Sequence, residues 1–228
     1  MEPKEIWDKF CNRMNIVEQS VPLFETKDGR QVYTREIGSS RKRNVLCRSR
    51  EMEKIIIQAS DELTCDWEAK NSKFDGIIYL MFCKRPNGGA LPLYIGKTEK
   101  YGKNQQNLSV NIKNLANDRN KFARWGDNYQ YHIGDLSSVV LGHSGAKKPE
   151  KYQRWANKLF VDFPVTGAQL PELKNPIYFW CKNWQATDVG PWEAFGPTNL
   201  TFLEYLLIGV ASSAYPNEVL NVEGQNRN

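Results

Sequence analysis

Gly76-Ile77-Ile78-Tyr79-Leu80-Met81-Phe82 decides how this chain folds. Side chains alternate across an extended segment, so Ile77, Tyr79 and Met81 share one face while Ile78, Leu80 and Phe82 share the other. Apolar residues on both faces predict a central strand covered on both sides. Beyond it, Lys84 to Ala90 contains Pro86-Asn87-Gly88-Gly89, a reversal signal long enough for a loose hairpin. Leu93-Tyr94-Ile95-Gly96-Lys97-Thr98 then returns as the partner strand and brings Tyr79 and Tyr94 near each other.

Working outward, Ile177-Tyr178-Phe179-Trp180-Cys181 has strand composition and completes the sheet. Leu108, Ile112, Leu115 and Phe122 have helical spacing, which predicts a helix over about 108–122. Residues 185–198 are a Gly- and Pro-containing loop that leads into Thr201-Phe202-Leu203-Glu204-Tyr205-Leu206-Leu207-Ile208, a largely apolar helix. Residues 141–175 read as an insertion, with Tyr152, Trp155, Leu159 and Phe160 on one side of a helix and Lys151, Arg154 and Lys158 outward. That helix suits either nucleic-acid contact or plain coverage of the sheet. Toward the N-terminus, Pro3–Met14 predicts a short helix, Lys27-Asp28-Gly29 a small hairpin turn, and 52–59 a strand or helix. Asp66 to Phe74 reads as a connector. The expected class is therefore α+β, a small mixed or antiparallel sheet flanked by helices, with residues 1–70 as an extension and 71–228 as the main body.

A chain of 228 residues, 40% hydrophobic and 12% aromatic, has ample material for a packed core. No apolar run reaches the roughly 18 residues of a membrane span, and Met1-Glu2-Pro3-Lys4-Glu5 lacks a signal-peptide layout, so the expectation is a cytoplasmic protein. Five scattered cysteines without a C-x-x-C pair, and only two histidines, argue against a zinc site or a disulfide scaffold and for reduced, buried thiols. The net charge of +5 is unevenly spread: residues 1–70 hold thirteen basic and thirteen acidic residues, leaving 18 against 13 beyond. Lys97, Lys100, Lys103, Lys113, Arg119, Lys121 and Arg124 follow the Tyr94 strand against only Glu99 and Asp118. Such a patch attracts a polyanion, because each phosphate neutralised releases counterions. A second basic run, Arg35 to Arg50, is either a backbone contact or a solvated loop around Gly38-Ser39-Ser40.

Two phenols on a hairpin, followed by Gly96-Lys97, then Glu204, then Pro216 and Leu220-Asn221, resemble in order the signature of the GIY-YIG nuclease family. The resemblance covers residues 76–221. It implies a phosphodiester hydrolase with one Mg²⁺ or Mn²⁺ anchored on Glu204 and double-stranded DNA as partner, a homodimer being one possible assembly. It further implies Tyr79 as general base, directly or through Tyr94, with Lys97 close enough in sequence to lower the phenol. Restriction or host defence is the expected setting. In the family's pattern a helix arginine is followed four residues on by histidine or tyrosine; those places fall on Asn111 and Leu115, which cannot do that chemistry. Arg124 is therefore the first candidate for the phosphate and Arg119 the second. His132, expected to begin a strand, either replaces the missing histidine or is a hydrogen-bonded structural residue. Gly96, Lys97, Lys103, Asn111, Lys121 and Asn221 are the expected substrate contacts.

Glu204 itself admits two accounts that are compatible. Thr201 and Glu204 match a capping box by spacing; a carboxylate in the first turn of a buried helix also suits a hard cation whose other ligands are water and phosphate. Tyr79 alone would read as a core tyrosine. Two further classes stand beside the enzyme: a nuclease-derived module that binds without cutting, supported by Asn111 and Leu115, and an interaction protein, supported by the seven Trp and ten Tyr.

Overall fold

The structure is a computed structural model that describes residues 1–37, 42–102, 107–117, 132–144, 150–165, 167 and 169–226. Its centre is the hairpin of β4 (Phe74–Lys84) and β5 (Ala90–Glu99). With β1 (Val21–Pro22) and β6 (Tyr178–Gln185) these strands form one sheet in the order β1-β6-β4-β5, every neighbouring pair antiparallel. The chain is thus an α+β fold with β4 inside the sheet, as its two apolar faces require. Ile78, Leu80 and Phe82 pack under α1 (Pro3–Arg13) and α6 (Leu200–Ala214). Ile77 and Met81 pack on the opposite side with α2 (Arg50–Glu68), α4 (His132–Val140) and α5 (Glu150–Leu159). Each fully buried aliphatic side chain on this strand contributes about 1.5–3 kcal/mol by area removed from water.

Several expectations shift. The helix after the hairpin, α3, is Val110–Asn117; Leu108, expected to open it, instead bridges to Tyr101, and residues 118–122 of the expected span lie outside the described residues. His132 opens α4 rather than a strand, because Ile133 to Val140 supply an apolar helical stripe with Leu136, Val139 and Val140 in the core. The stretch 141–175, read as an insertion, packs into the body: Tyr152, Trp155, Ala156, Leu159 and Phe160 are buried against the sheet. Residues 1–70, read as an extension, pack on the same body, since β1 extends the sheet, α1 lies against α6, and α2 covers β4 and β6. Asp66 to Glu68, read as connector, still belong to α2, whose Ser49 N-cap accepts the Met52 N–H. The Asp28 carboxylate accepts the Arg30 and Gln31 N–H groups and closes the expected turn. Its two arms are joined by the Tyr33-to-Glu25 and Lys27-to-Gln31 backbone bonds.

The Arg35–Arg50 run straddles β2 (Thr34–Ile37) and β3 (Arg43–Leu46), an antiparallel pair of its own. Two of its cations are internally paired, Arg48 with Glu53 at 2.6 Å and Lys42 with Glu36 at 2.9 Å. All five cysteines are free, and Cys65 is exposed rather than buried. Burial pushes the Cys83 thiol up to about 11 and the Cys181 thiol up to about 12, so both stay protonated and unreactive. Among the described residues no helix is long and apolar enough to cross a membrane.

Candidate active site

The site forms where β5 leaves the sheet with a free edge. Gly96 lies opposite Tyr79 in the ladder, and Met81 lies opposite Tyr94, so the two phenols sit diagonally on one face. Their ring centroids are 6.2 Å apart and the Tyr79 hydroxyl hydrogen-bonds Tyr94. Tyr79 leans over Gly96: a Cβ there would stand 2.4 Å from both Cζ and the hydroxyl oxygen of Tyr79. The missing side chain of Gly96 is therefore the space that the phenol occupies. Gly96→Ala is expected to cost about 1–3 kcal/mol, as overpacking does, and to push Tyr79 off Tyr94. Urea denaturation and the tyrosine fluorescence of the folded state measure the two effects.

The outward backbone of β5 is capped by three groups. Leu220 N–H donates to Leu93 O at 2.7 Å. The Asn221 amide accepts the Ile95 N–H at 3.0 Å and donates to Ile95 O at 2.8 Å. The Glu204 carboxylate accepts the Lys97 N–H. Asn221, 6% exposed, is thus a structural clamp on the edge strand, with both its amide oxygen and its amide nitrogen engaged by Ile95. Glu204 reaches this edge from α6, whose Leu200, Leu203 and Leu207 face the sheet while Phe202 and Tyr205 are exposed.

Asn199, not Thr201, caps α6 by accepting the Phe202 N–H at 2.9 Å. Thr201 instead donates to Glu99 at 2.9 Å. Glu204 therefore lies past the N3 position, and the capping-box account of it fails. It is half-buried and has no ion-pair partner among the described residues. Burial raises its carboxyl above the ordinary range; the Lys97 ammonium pulls the other way, and Glu99 and Glu223 add to the rise.

Burial is likewise the main reason that both phenols are raised, with Glu204 adding to each. Tyr94 is pushed up to about 12, and Tyr79, which donates the shared proton, is raised well above the ordinary tyrosine range. The expectation that Lys97 lowers Tyr79 does not hold, because the Lys97 ammonium is paired with Glu99. On the far side of the phenols stands α5. Tyr94 packs on Trp155 with centroids 5.0 Å apart, and the Lys151 ammonium lies 5.6 Å from the Tyr94 ring. Asp135 on α4 and Glu223 act on Lys151 electrostatically.

Tyr79, Tyr94 and Glu204 are thus brought together. Asn111 is exposed on α3. Arg119, Arg124, Lys103 and Lys121 lie outside the described residues, as does the side chain of His132. Sequence reasoning missed Lys151, placed among the outward residues of a covering helix; its signal was its step of one from Tyr152 and four from Trp155, which sets it at the rim of the aromatic stripe.

Among the described residues no three His, Cys, Asp or Glu side chains cluster to hold a metal. A hard cation would have one carboxylate anchor here, Glu204, whose raised carboxyl and unpaired charge between Glu99 and Glu223 suit it. No family model matches this chain, and no curated protein and no solved structure matches it either.

Proposed function

We propose that this protein is a divalent-cation-dependent endonuclease that hydrolyses DNA phosphodiesters, resembling the GIY-YIG nucleases in its site. What supports this most is the meeting of two hydrogen-bonded phenols and an unpaired carboxylate at the free edge of β5. Restriction or host defence and action on double-stranded DNA, with homodimer formation open to it, are parts of the same proposal.

Glu204 would hold the Mg²⁺ or Mn²⁺ ion, which would supply charge neutralisation for the attacked phosphate and the departing 3′ oxygen. Tyr79 keeps its proton and donates it toward Tyr94, which orients the Tyr94 oxygen and makes Tyr94 the first of the pair to ionise. Tyr94, rather than Tyr79, loses its own proton to solvent and, as the phenolate, takes one from the attacking water. The water oxygen bonds to phosphorus, the bond to the 3′ oxygen breaks, and that oxygen takes a proton from solvent. The ends are a 5′ phosphate and a 3′ hydroxyl. Neutralising the Glu204 charge removes one of the causes that hold the Tyr94 phenol high, so cation binding and base activation are linked.

With plasmid and Mg²⁺ or Mn²⁺, the wild-type protein is expected to nick and linearise the DNA. Tyr94→Phe should lower the rate about 10²–10⁴-fold, the usual worth of a positioned base, and Tyr79→Phe less. Duplex binding should persist in both. The wild-type rate should rise with pH, since the active form of the phenol is the deprotonated one. Full activity in Tyr94→Phe would refute the assignment. Two phenols raised by burial favour one alternative, a module that binds DNA without cutting; tight duplex binding with no cleavage under either metal would select it.

A further inference from the structure

We propose that Lys151 binds a non-bridging oxygen of the scissile phosphate, the place for which the sequence suggested Arg124 or Arg119; this rests on the hydrolase reading. Lys151 is in the first turn of α5, where the helix dipole and the nearby Arg154 both disfavour a cation. It is half-buried there, its ammonium 5.6 Å from the Tyr94 ring, 5.5 Å from Tyr152 and 6.0 Å from Trp155. Three aromatic faces hold an ammonium in place but satisfy none of its N–H donors with an oxygen.

Other lysines near the core are engaged with carboxylates: Lys97 with Glu99, Lys100 with Asp66, Lys158 with Glu218, Lys182 with Asp188. Lys151 has no such ion pair among the described residues. Asp135 and Glu223 reach it only as longer-range charges. Glu223 acts on Glu204 as well, and Tyr94, which feels the Glu204 charge, lies 5.6 Å from the Lys151 ammonium, so both charges act on the surroundings of one phenol. A phosphodiester there would give Lys151 the anionic acceptor it lacks and would carry its non-bridging oxygens away from the Glu204 charge. A tetrahedral oxyanion suits a compact, rotatable ammonium.

The test compares the full-length wild type with Lys151→Gln and Lys151→Arg in single-turnover cleavage of a duplex, with melting temperature and duplex affinity measured alongside. Lys151→Gln should cut about 10²-fold more slowly, as when one preorganised donor to developing charge is lost. Lys151→Arg should recover most of that loss. Replacing one non-bridging oxygen at the cut site by sulfur should slow the wild type for one diastereomer, and Lys151→Gln should lose that discrimination, which a merely structural role would not change. An active wild type with Lys151→Gln equally fast, or with unchanged discrimination, overturns the proposal and leaves the hydrolase reading intact. A wild type that never cuts overturns both. If Lys151→Gln does not fold, Lys151→Arg decides: a folded but inert arginine variant overturns the proposal, and an active one supports it.

Discussion

Glu204→Gln is expected to abolish cation-dependent cleavage, by about 10³-fold or more, while making the metal-free protein more stable. The first part follows if Glu204 is the one protein anchor for the ion, because the ion's several kcal/mol of transition-state stabilisation is then lost with it. The second follows from the direction of its titration. Burial, with help from Glu99 and Glu223, raises the Glu204 carboxyl in the folded state above its unfolded value. A group raised in this way favours the fold below the unfolded value, and that advantage disappears as pH rises through the folded value. At neutral pH, above the unfolded value, Glu204 therefore opposes folding, and a neutral amide of the same shape does not. Adding Mg²⁺ or Mn²⁺ should stabilise the wild type and leave Glu204→Gln unmoved, since only a state that binds the ion gains from it. Thermal melts with and without the metal, beside plasmid cleavage, measure both parts. A variant that cuts normally, or a wild type whose melting ignores both metals, would sink the assignment of the ion to Glu204.

That a carboxylate should be left in so unfavourable a place is not readable from residue spacing. Thr201 and Glu204 have capping-box spacing, and only the backbone reveals that Asn199 caps the helix while Thr201 bonds Glu99. The hairpin was legible because alternation and turn chemistry agree: two apolar faces on 77–82 require cover on both sides, and Pro86 to Gly89 can only reverse the chain. The two layers of helices that provide the cover were less so. Whether a helix such as 150–159 covers a sheet or contacts a ligand depends on long-range packing, and the same basic and aromatic interleaving serves both. Here the helix buries Trp155 against the sheet while its Lys151 ammonium lies 5.6 Å from the Tyr94 ring. Asn221 illustrates the opposite case. A conspicuous polar residue near the chain's end suggests a ligand contact, but an edge strand has unpaired amides and carbonyls that need partners, and Asn221 meets that need at Ile95. The phenols also depended on tertiary structure for their direction of titration, because the lysine nearest in sequence is turned to Glu99.

Asp66→Ala is expected to be the most destabilising single change away from the site, by about 3–5 kcal/mol, the usual cost of leaving one partner of a buried ion pair alone. Asp66 lies at the end of α2, and its side chain is 5% exposed; the Lys100 side chain opposite is fully enclosed. Burial by itself would raise the Asp66 carboxyl. The Lys100 ammonium and the Phe74 N–H, which donates at 3.2 Å, outweigh it and hold the carboxyl below the ordinary aspartate range. Lys100 also donates from its ammonium to Asn71 O at 2.7 Å, so every nearby acceptor serves that one charge. Remove the carboxylate and an ammonium remains in the core with a single carbonyl.

The pair also anchors the start of the basic segment, because Lys100 ties it to the sheet and to the entry of α3: Lys100 N–H donates to Asp75 O at the edge of β4, and Ser109 N–H donates to Lys100 O. Loosening it should therefore weaken duplex binding along with stability, although Asp66 is an acid and its loss by charge alone would strengthen binding to a polyanion. Because its carboxyl is depressed on folding, Asp66 stabilises the protein above the ordinary aspartate range of about 3.9 and loses that contribution as pH falls through the folded value. Urea unfolding at neutral pH should give Asp66→Ala a lower midpoint at unchanged slope. The gap to wild type should narrow on acidification below about pH 4, where the carboxyl takes up a proton in the unfolded chain first and in the folded protein only at lower pH. Replacing both partners by apolar residues, as in Asp66→Leu with Lys100→Met, should recover much of the loss, because the isolated charge is then gone. A cost under about 1 kcal/mol for Asp66→Ala, the range of an exposed pair, would show that water reaches Lys100 and that the segment is anchored elsewhere.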